Sequence, residues 1–110
     1  KLGKNIEVIS RARIEINAMR LAVLQAAKAM DVLGNKEARV YVSAVKAMVT
    51  EKVCTILDQA IQMQGATGLS QWSPLGTMYT DMRHLRFADG PDEVHHMVVG
   101  RAELQKYDLW

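Results

Sequence analysis

The chain has 110 residues, of which 49% are hydrophobic and 24% are charged, and its formal net charge at pH 7 is +2. These values are typical of a single globular domain, and so weak a positive charge, with no run of Lys or Arg, does not support nucleic-acid binding. The single cysteine, Cys54, excludes an internal disulfide. No apolar run approaches membrane-spanning length.

The first predicted element is a long helix from about Asn5 to Leu33. No glycine or proline interrupts this segment, and its apolar residues recur at alternating steps of three and four. Glycine suits a left-handed position after a helix and asparagine caps the start of one, so Gly34-Asn35 should separate two helices. The apolar stripe consists of Ile9, Ala12, Ile16, Met19, Val23, Ala26 and Met30.

The second predicted helix runs from Lys36 to about Gln64. Each of the two helices is then about 40 Å long. Because only two residues join them, they must lie antiparallel. The predicted apolar face of the second helix consists of Val42, Val45, Val49, Val53, Ile56, Ala60 and Met63.

Two shorter helices complete the prediction. The third starts at Ser73-Pro74, a cap followed by a first-turn proline, and ends near Leu85. The fourth opens at Pro91, carries two acidic residues in its first turn and ends near Lys106. No strand pattern is present, so we expect an all-α fold: a long antiparallel helical hairpin with two shorter helices, an incomplete four-helix bundle.

Asp89 is the first candidate functional residue, because it lies in an Asp-Gly-Pro turn just before the last helix. The local interpretation is that Asp89 or Gly90 caps this helix. The alternative is a general base. The helix dipole and free N–H groups would keep the carboxylate ionised, and desolvation by an apolar ligand would make it a stronger base.

The second candidate is the glycine-punctuated loop from Gln62 to Gly68. Gly65 and Gly68 could simply end a helix and turn the chain. Alternatively, Gly65 and Ala66 are small because a cofactor phosphate or adenine approaches the backbone, with Gln62 and Gln64 offering amide hydrogen bonds. Both interpretations remain open at the level of sequence.

The other polar residues give weaker indications of a functional site. His95 and His96 point about 100° apart on a helix and have no partner at ligand spacing, so we expect no metal site. Arg83, His84 and Arg86 indicate a solvated face or local ion pairs, although an acyl-CoA ligand would favour such a cluster.

Together these motifs resemble the C-terminal helical domain of the acyl-CoA dehydrogenase family. The family pattern reads Gln-x-x-Gly-Gly-x-Gly, an aromatic and Pro, Arg-Asp-x-Arg, an aromatic with Glu-Gly-Thr, and a closing helix that ends in Ala-Arg. The resemblance covers essentially residues 1–110, as a single domain corresponding to the last three-quarters of the bundle. The matching segments are Leu2-Gly3-Lys4, Gln62 to Gly68, Pro74, Asp81-Met82-Arg83, Phe87 to Pro91 and Val99-Gly100-Arg101.

Three positions depart from the family pattern. Asp89 replaces the catalytic glutamate, Pro91 replaces the threonine, and Ala66 replaces the second glycine. This version resembles the subgroup found fused to, or encoded near, an aminoglycoside-phosphotransferase-like kinase domain. Aspartate keeps a carboxylate base but shortens the side chain by one methylene, which would either change the substrates that fit or leave the base too far from ordinary straight-chain thioesters.

The resemblance implies an FAD-dependent enzyme that dehydrogenates an acyl-CoA thioester between its α and β carbons, in fatty-acid oxidation. Asp89 would remove the α-proton and the β-hydride would pass to FAD, while Gly90 would leave room for the substrate thioester. The residues implied for FAD contact, in part with the FAD of a neighbouring subunit, are Gln62, Gly65, Ala66, Pro91 and Glu93.

The resemblance also implies a homodimer or homotetramer, and an electron-transferring flavoprotein or oxygen as electron acceptor. We expect a mitochondrial or peroxisomal protein if the source is eukaryotic and a cytoplasmic one if it is bacterial. Because the chain begins at Lys1 without methionine, we expect it to be a fragment of a longer protein and inactive alone. Two alternatives are a helical dimerisation or docking module and a catalytically inactive family member.

Overall fold

The computed structural model describes residues 3–110, so Lys1 and Leu2, the latter part of the Leu2-Gly3-Lys4 motif, lie outside the described residues. Four helices follow in order: α1 (Gly3–Gln64), α2 (Ala66–Leu69), α3 (Leu75–Leu85) and α4 (Asp92–Gln105). Residues 3–110 contain no strand, which confirms the all-α prediction. Within this range, no helix combines the length and the apolar character needed to cross a membrane.

The helix α1 folds back on itself at Gly34, whose backbone is not helical (φ 81°, ψ 168°). A straight helix of 62 residues would span about 93 Å, whereas the longest dimension of the molecule is 51 Å. We call residues 3–33 the first arm and residues 35–64 the second arm. Lys52 Nζ lies 3.7 Å from Glu15 Oε1, across the two arms. The predicted antiparallel hairpin is therefore confirmed.

The buried face of the second arm differs from the predicted apolar face. Val42 is 40% exposed and Met63 is 36% exposed. Most of the residues that are buried come one position after a residue of the predicted face, which corresponds to a rotation of about 100° around the helix. Most of these buried residues are small. Small side chains let neighbouring backbones approach, and the hydroxyl of Thr50 is satisfied because it donates to Lys46 O at 2.8 Å. The buried set is Ala38, Ser43, Ala47, Thr50, Cys54 and Leu57.

The remaining helices pack on α1. The third helix begins at Leu75, one residue later than predicted, because Pro74 occupies the cap position. Ser73 Oγ still accepts a hydrogen bond from Leu75 N–H at 3.3 Å. The short helix α2 was not predicted. Pro91 is extended (φ −67°, ψ 163°), so α4 begins at Asp92, one residue later than the sequence indicates.

We expect Gly34→Ala to destabilise the protein by about 1–3 kcal/mol, because the backbone region occupied by Gly34 is nearly inaccessible to other residues. The matched control is Gly100→Ala, since Gly100 lies within α4 and a Cβ there also meets nothing within 4 Å. Alanine in a helix interior is favoured over glycine by about 0.5–1 kcal/mol, so the control should be neutral or stabilising. Urea unfolding followed by circular dichroism measures both. Equal stability of the two variants would contradict a strained hinge at Gly34.

We expect the Cys54 thiol to be unreactive in the folded protein. Its side chain is buried, and burial raises the pKa of the thiol, an effect that Arg86 and Arg83 only partly oppose. Iodoacetamide at pH 8 should therefore modify Cys54 much more slowly in native protein than in urea-unfolded protein. Equal rates in the two states would show that this part of the hairpin opens readily.

Candidate functional site

The turn between α3 and α4 has an unusual backbone at two consecutive residues. Asp89 has φ 55° and Gly90 has φ 101°. Asp is among the few residues other than glycine that visit the left-handed region, yet the conformation still carries a cost. Asp92 N–H donates to Arg86 O at 3.2 Å and closes the loop around this turn. We call residues 88–91 the Asp89 turn.

Side chains from two helices hold the carbonyl groups of the Asp89 turn. Lys46 Nζ, on the second arm, donates to Gly90 O at 2.8 Å. His95 Nε2, on α4, lies 3.1 Å from Asp89 O. A carbonyl oxygen only accepts, so His95 carries its proton on Nε2 in this contact. The other ring nitrogen, Nδ1, lies 3.1 Å from Ser43 Oγ on the second arm.

The interpretation of Asp89 or Gly90 as a cap of α4 is wrong. The residue at the cap position is Pro91, and no side chain makes a capping hydrogen bond there. Asp89 is exposed. Within residues 3–110 its carboxylate has no hydrogen-bond partner, and the N–H groups of Asp89 and Gly90 have no protein acceptor. The turn thus carries a carboxylate beside two N–H donors, the groups needed to take a proton and to stabilise a nearby oxyanion.

The basic residues before the turn are mostly engaged in local contacts. Arg86 Nε donates to Asp92 Oδ2 at 2.6 Å, which confirms the expected ion pair. The hydrogen bond with Asp92 raises the pKa of Arg86. The guanidinium of Arg83 lies 4.7 Å from the centre of the Phe87 ring. Asp92 is buried, and its Oδ1 has no partner in the described part of the chain, so this pair mainly fixes the base of the loop.

Gly65 and Gly68, which follow the second arm, are explained by different structural requirements. Gly65 has φ 63°, and a Cβ there would meet nothing within 4 Å. In contrast, a Cβ on Gly68 would lie 2.7 Å from Ile61 O, so close backbone packing requires that glycine. Gln62, Gly65 and Ala66 are exposed. The surface beside them is open enough for a ligand, although the positive φ of Gly65 alone also explains its glycine.

The predicted site residues fall into two groups. Pro91, within the Asp89 turn, and Glu93, just after it, are both exposed. Gln62, Gly65 and Ala66 lie at the far end of the second arm. Since Lys46 holds the turn, and a helix rises about 1.5 Å per residue, Gln62 is about 24 Å farther along this arm than the point that contacts the turn. One chain therefore does not bring Gln62, Gly65 and Ala66 together with Asp89 and Gly90.

Sequence reasoning missed Ser43 and Lys46, the residues of the second arm that reach the turn. Ser43 belongs to the buried series that continues through Ala47 and Thr50 at helical spacing, which indicates close packing. Such a series of small residues could have identified Ser43. Nothing in the sequence distinguishes Lys46 from the other lysines, since its partner is a backbone carbonyl 44 positions away.

We expect Gly90→Ala to disrupt the Asp89 turn. A Cβ at Gly90 would lie 3.1 Å from His95 Nε2, and φ 101° is itself strained for alanine. Together these effects should cost about 1–3 kcal/mol of stability. Gly76→Ala is the control, because its Cβ would make an ordinary 3.7 Å contact with Leu69 O and the backbone has no positive φ. A thermal melt in which both variants match the unmodified protein would show that the turn tolerates a side chain at Gly90.

Fold and site together define a class of protein: a helical-bundle domain that presents an exposed carboxylate from a held turn. Residues 7–104 match the model of the acyl-CoA dehydrogenase C-terminal domain. The chain belongs to the acyl-CoA dehydrogenase family. Members of this family generally use FAD.

Individual relatives agree with this assignment. The chain is 47% identical over 103 residues to mouse acyl-CoA dehydrogenase family member 10, covering 94% of this chain and 10% of that protein. It is 45% identical over 97 residues to rat acyl-CoA dehydrogenase family member 11, covering 88% of this chain and 12% of the relative. A solved Mycobacterium abscessus structure, assigned as an acyl-CoA dehydrogenase, superposes with a TM-score of 0.93 at 47% identity. That superposition covers 97% of this chain and 26% of the solved one.

The chain therefore spans about a tenth of the length of these two curated relatives. Its place in the subgroup linked to a kinase-like domain stays a prediction.

Proposed function

We propose that this domain supplies the base of a flavin-dependent acyl-CoA dehydrogenase, and that Asp89 is that base. Family membership supports the reaction class. The observation that carries the proposal is the exposed Asp89 carboxylate, which makes no hydrogen bond within the described residues and lies on a turn held by Lys46 and His95. A carboxylate already engaged in an ion pair, such as that of Asp92, could not serve in this way.

In the proposed reaction, an acyl-CoA thioester lies over the Asp89 turn. Asp89 takes the α-proton, and the thioester carbonyl oxygen gains negative charge as that proton leaves. The N–H of Asp89 has no protein acceptor in residues 3–110, so it is free to donate to this oxygen. Gly90 leaves room for the thioester because it has no side chain. When bound, FAD would supply the acceptor for the β-hydride.

The proposed FAD contacts come from both groups of residues. Pro91 and Glu93 adjoin the base. Pro91 would offer an apolar contact, because it has no N–H and its carbonyl already accepts from Val94 N–H at 3.0 Å. Gln62, Gly65 and Ala66 lie at the far end of the second arm, where the surface around Gly65 is open. The separation along that arm supports a second FAD-contact surface that serves the flavin of a neighbouring subunit.

The first arm supports association with further protein. Ile14 is 63% exposed, Leu21 is 68% exposed and Val32 is 70% exposed. Several exposed aliphatic residues on one helix are typical of a surface covered in the assembled protein. A homodimer or homotetramer is proposed on this basis. The same surface would serve a docking module, so it does not by itself favour an active enzyme.

The substrate, electron acceptor and compartment are proposed for the whole enzyme. Its substrate is an acyl-CoA of fatty-acid oxidation, and its electron acceptor is an electron-transferring flavoprotein or oxygen. The proposed compartment is a mitochondrion or peroxisome in a eukaryote and the cytoplasm in a bacterium.

Anaerobic titration of the full-length holoenzyme with a panel of acyl-CoA thioesters tests the proposal. At least one thioester should bleach the flavin absorbance. In Asp89→Asn the rate of bleaching should fall by about 10²–10⁴-fold, because a positioned base contributes on that order. Asp58→Asn is the matched control, since Asp58 is an exposed carboxylate on the second arm away from the turn, and it should bleach at the unmodified rate.

Two results would count against Asp89 as the base. A flavin that stays oxidised with every thioester would favour the inactive or docking alternatives. Bleaching by Asp89→Asn at the rate of Asp58→Asn would leave the enzyme active but place its base elsewhere.

A further inference from the structure

We propose that Lys46 and His95 are positioning residues for the Asp89 carboxylate. They hold the two carbonyl groups that flank the Gly90 residue and so fix the direction in which the Asp89 side chain leaves the turn. The inference rests on the proposed function, in which that carboxylate is the base.

The backbone of the turn needs external support. Asp89 at φ 55° and Gly90 at φ 101° are consecutive left-handed residues, and a non-glycine residue there persists only where surrounding contacts over-determine it. Backbone hydrogen bonds hold the two ends of the turn: Ala88 N–H donates to His84 O at 3.2 Å, and Pro91 O accepts from Val94 N–H at 3.0 Å. Within the described part of the chain, no backbone hydrogen bond involves Asp89 or Gly90. The support for Asp89 and Gly90 themselves therefore comes from side chains.

Lys46 and His95 supply that support from separate helices. The Lys46 ammonium donates to Gly90 O at 2.8 Å, a charge-assisted hydrogen bond that is partly buried. His95 donates to Asp89 O at 3.1 Å. Because successive carbonyls are held, neither peptide plane on the two sides of Gly90 can rotate without breaking a contact.

Ser43 fixes the ring of His95. With Nε2 directed to Asp89 O, the other ring nitrogen, Nδ1, lies 3.1 Å from the Ser43 hydroxyl, which can donate or accept. Ser43 is buried, so its hydroxyl needs this partner. The second arm thus contacts the turn twice, directly through Lys46 and indirectly through Ser43 and His95.

The arrangement also constrains Gly90 itself. The His95 ring lies where a Cβ on Gly90 would point, with Nε2 only 3.1 Å away. The same imidazole therefore binds one carbonyl and closes the space on one side of the turn. Asp89 itself is exposed, so its side chain is accessible to a substrate that approaches the turn.

The test uses the full-length holoenzyme with Lys46→Met and His95→Leu, which remove the donors but keep apolar bulk. The controls are Lys52→Met, on the same arm, and His96→Leu, the exposed neighbour on α4. Stopped-flow flavin reduction by the acyl-CoA that bleaches the unmodified enzyme fastest separates the thioester dissociation constant from the limiting reduction rate. A misplaced reacting group costs on the order of 10²-fold.

We expect each variant to reduce the flavin about 10- to 100-fold more slowly, with the thioester dissociation constant changed by less than about threefold. Lys46→Arg and His95→Gln retain a donor and should recover most of the rate. A crystal structure of the Lys46→Met, His95→Leu double variant should show Asp89 outside the left-handed region. The two controls should match the unmodified enzyme.

Several results would overturn the inference. Reduction rates equal to those of Lys52→Met and His96→Leu would do so, as would an Asp89 turn unchanged in the double variant. Loss of rate that neither conservative variant recovers would indicate a general folding defect instead. If no thioester reduces the flavin of the unmodified enzyme, the proposed function fails first, and the conformation of Asp89 in the double variant then decides whether the two residues hold the turn.

Discussion

The hydrogen bond from Lys46 Nζ to Gly90 O, at 2.8 Å, links the long hairpin to the turn that carries the candidate base. A turn with consecutive left-handed residues between two short helices would otherwise relax. The second arm is a suitable anchor because a series of buried residues from Ala38 to Leu57 packs it against the rest of the molecule. The geometry of the Asp89 turn therefore depends on a helix that contributes no residue to the turn itself.

The second arm also sets the distance between the two candidate ligand surfaces. The Asp89 turn is held near its middle, and the loop with Gln62, Gly65 and Ala66 follows its end, about 24 Å from Lys46. A helix is stiff over this length, so the two surfaces cannot close on one small ligand. This separation is a physical reason to expect each domain to serve two different flavin sites in an assembled enzyme.

Sequence periodicity predicted the long helices, and Gly34 predicted the hinge, because both signals are local. The carboxylate turn was also found from sequence, through its motif rather than through its geometry. The predicted buried face of the second arm was wrong by one residue. Small and hydroxyl side chains such as Ser43 and Thr50 pack closely, but they contribute little to a hydrophobic pattern in the sequence. The assignment of Asp89 or Gly90 as a cap was wrong because Pro91 adopts an extended backbone and takes the cap position. Lys46 could not be found at all, because its partner is a backbone carbonyl distant in the chain.

The most direct test of the account is a crystal structure of the full-length holoenzyme with an acyl-CoA bound. We expect one oxygen of the Asp89 carboxylate to lie about 3–3.5 Å from the α-carbon of the thioester, the range of a reactive approach. The Lys46 and His95 contacts to the turn should be intact in that complex. A thioester bound elsewhere, or an Asp89 side chain directed away from its α-carbon, would contradict the central claim that this turn presents the base.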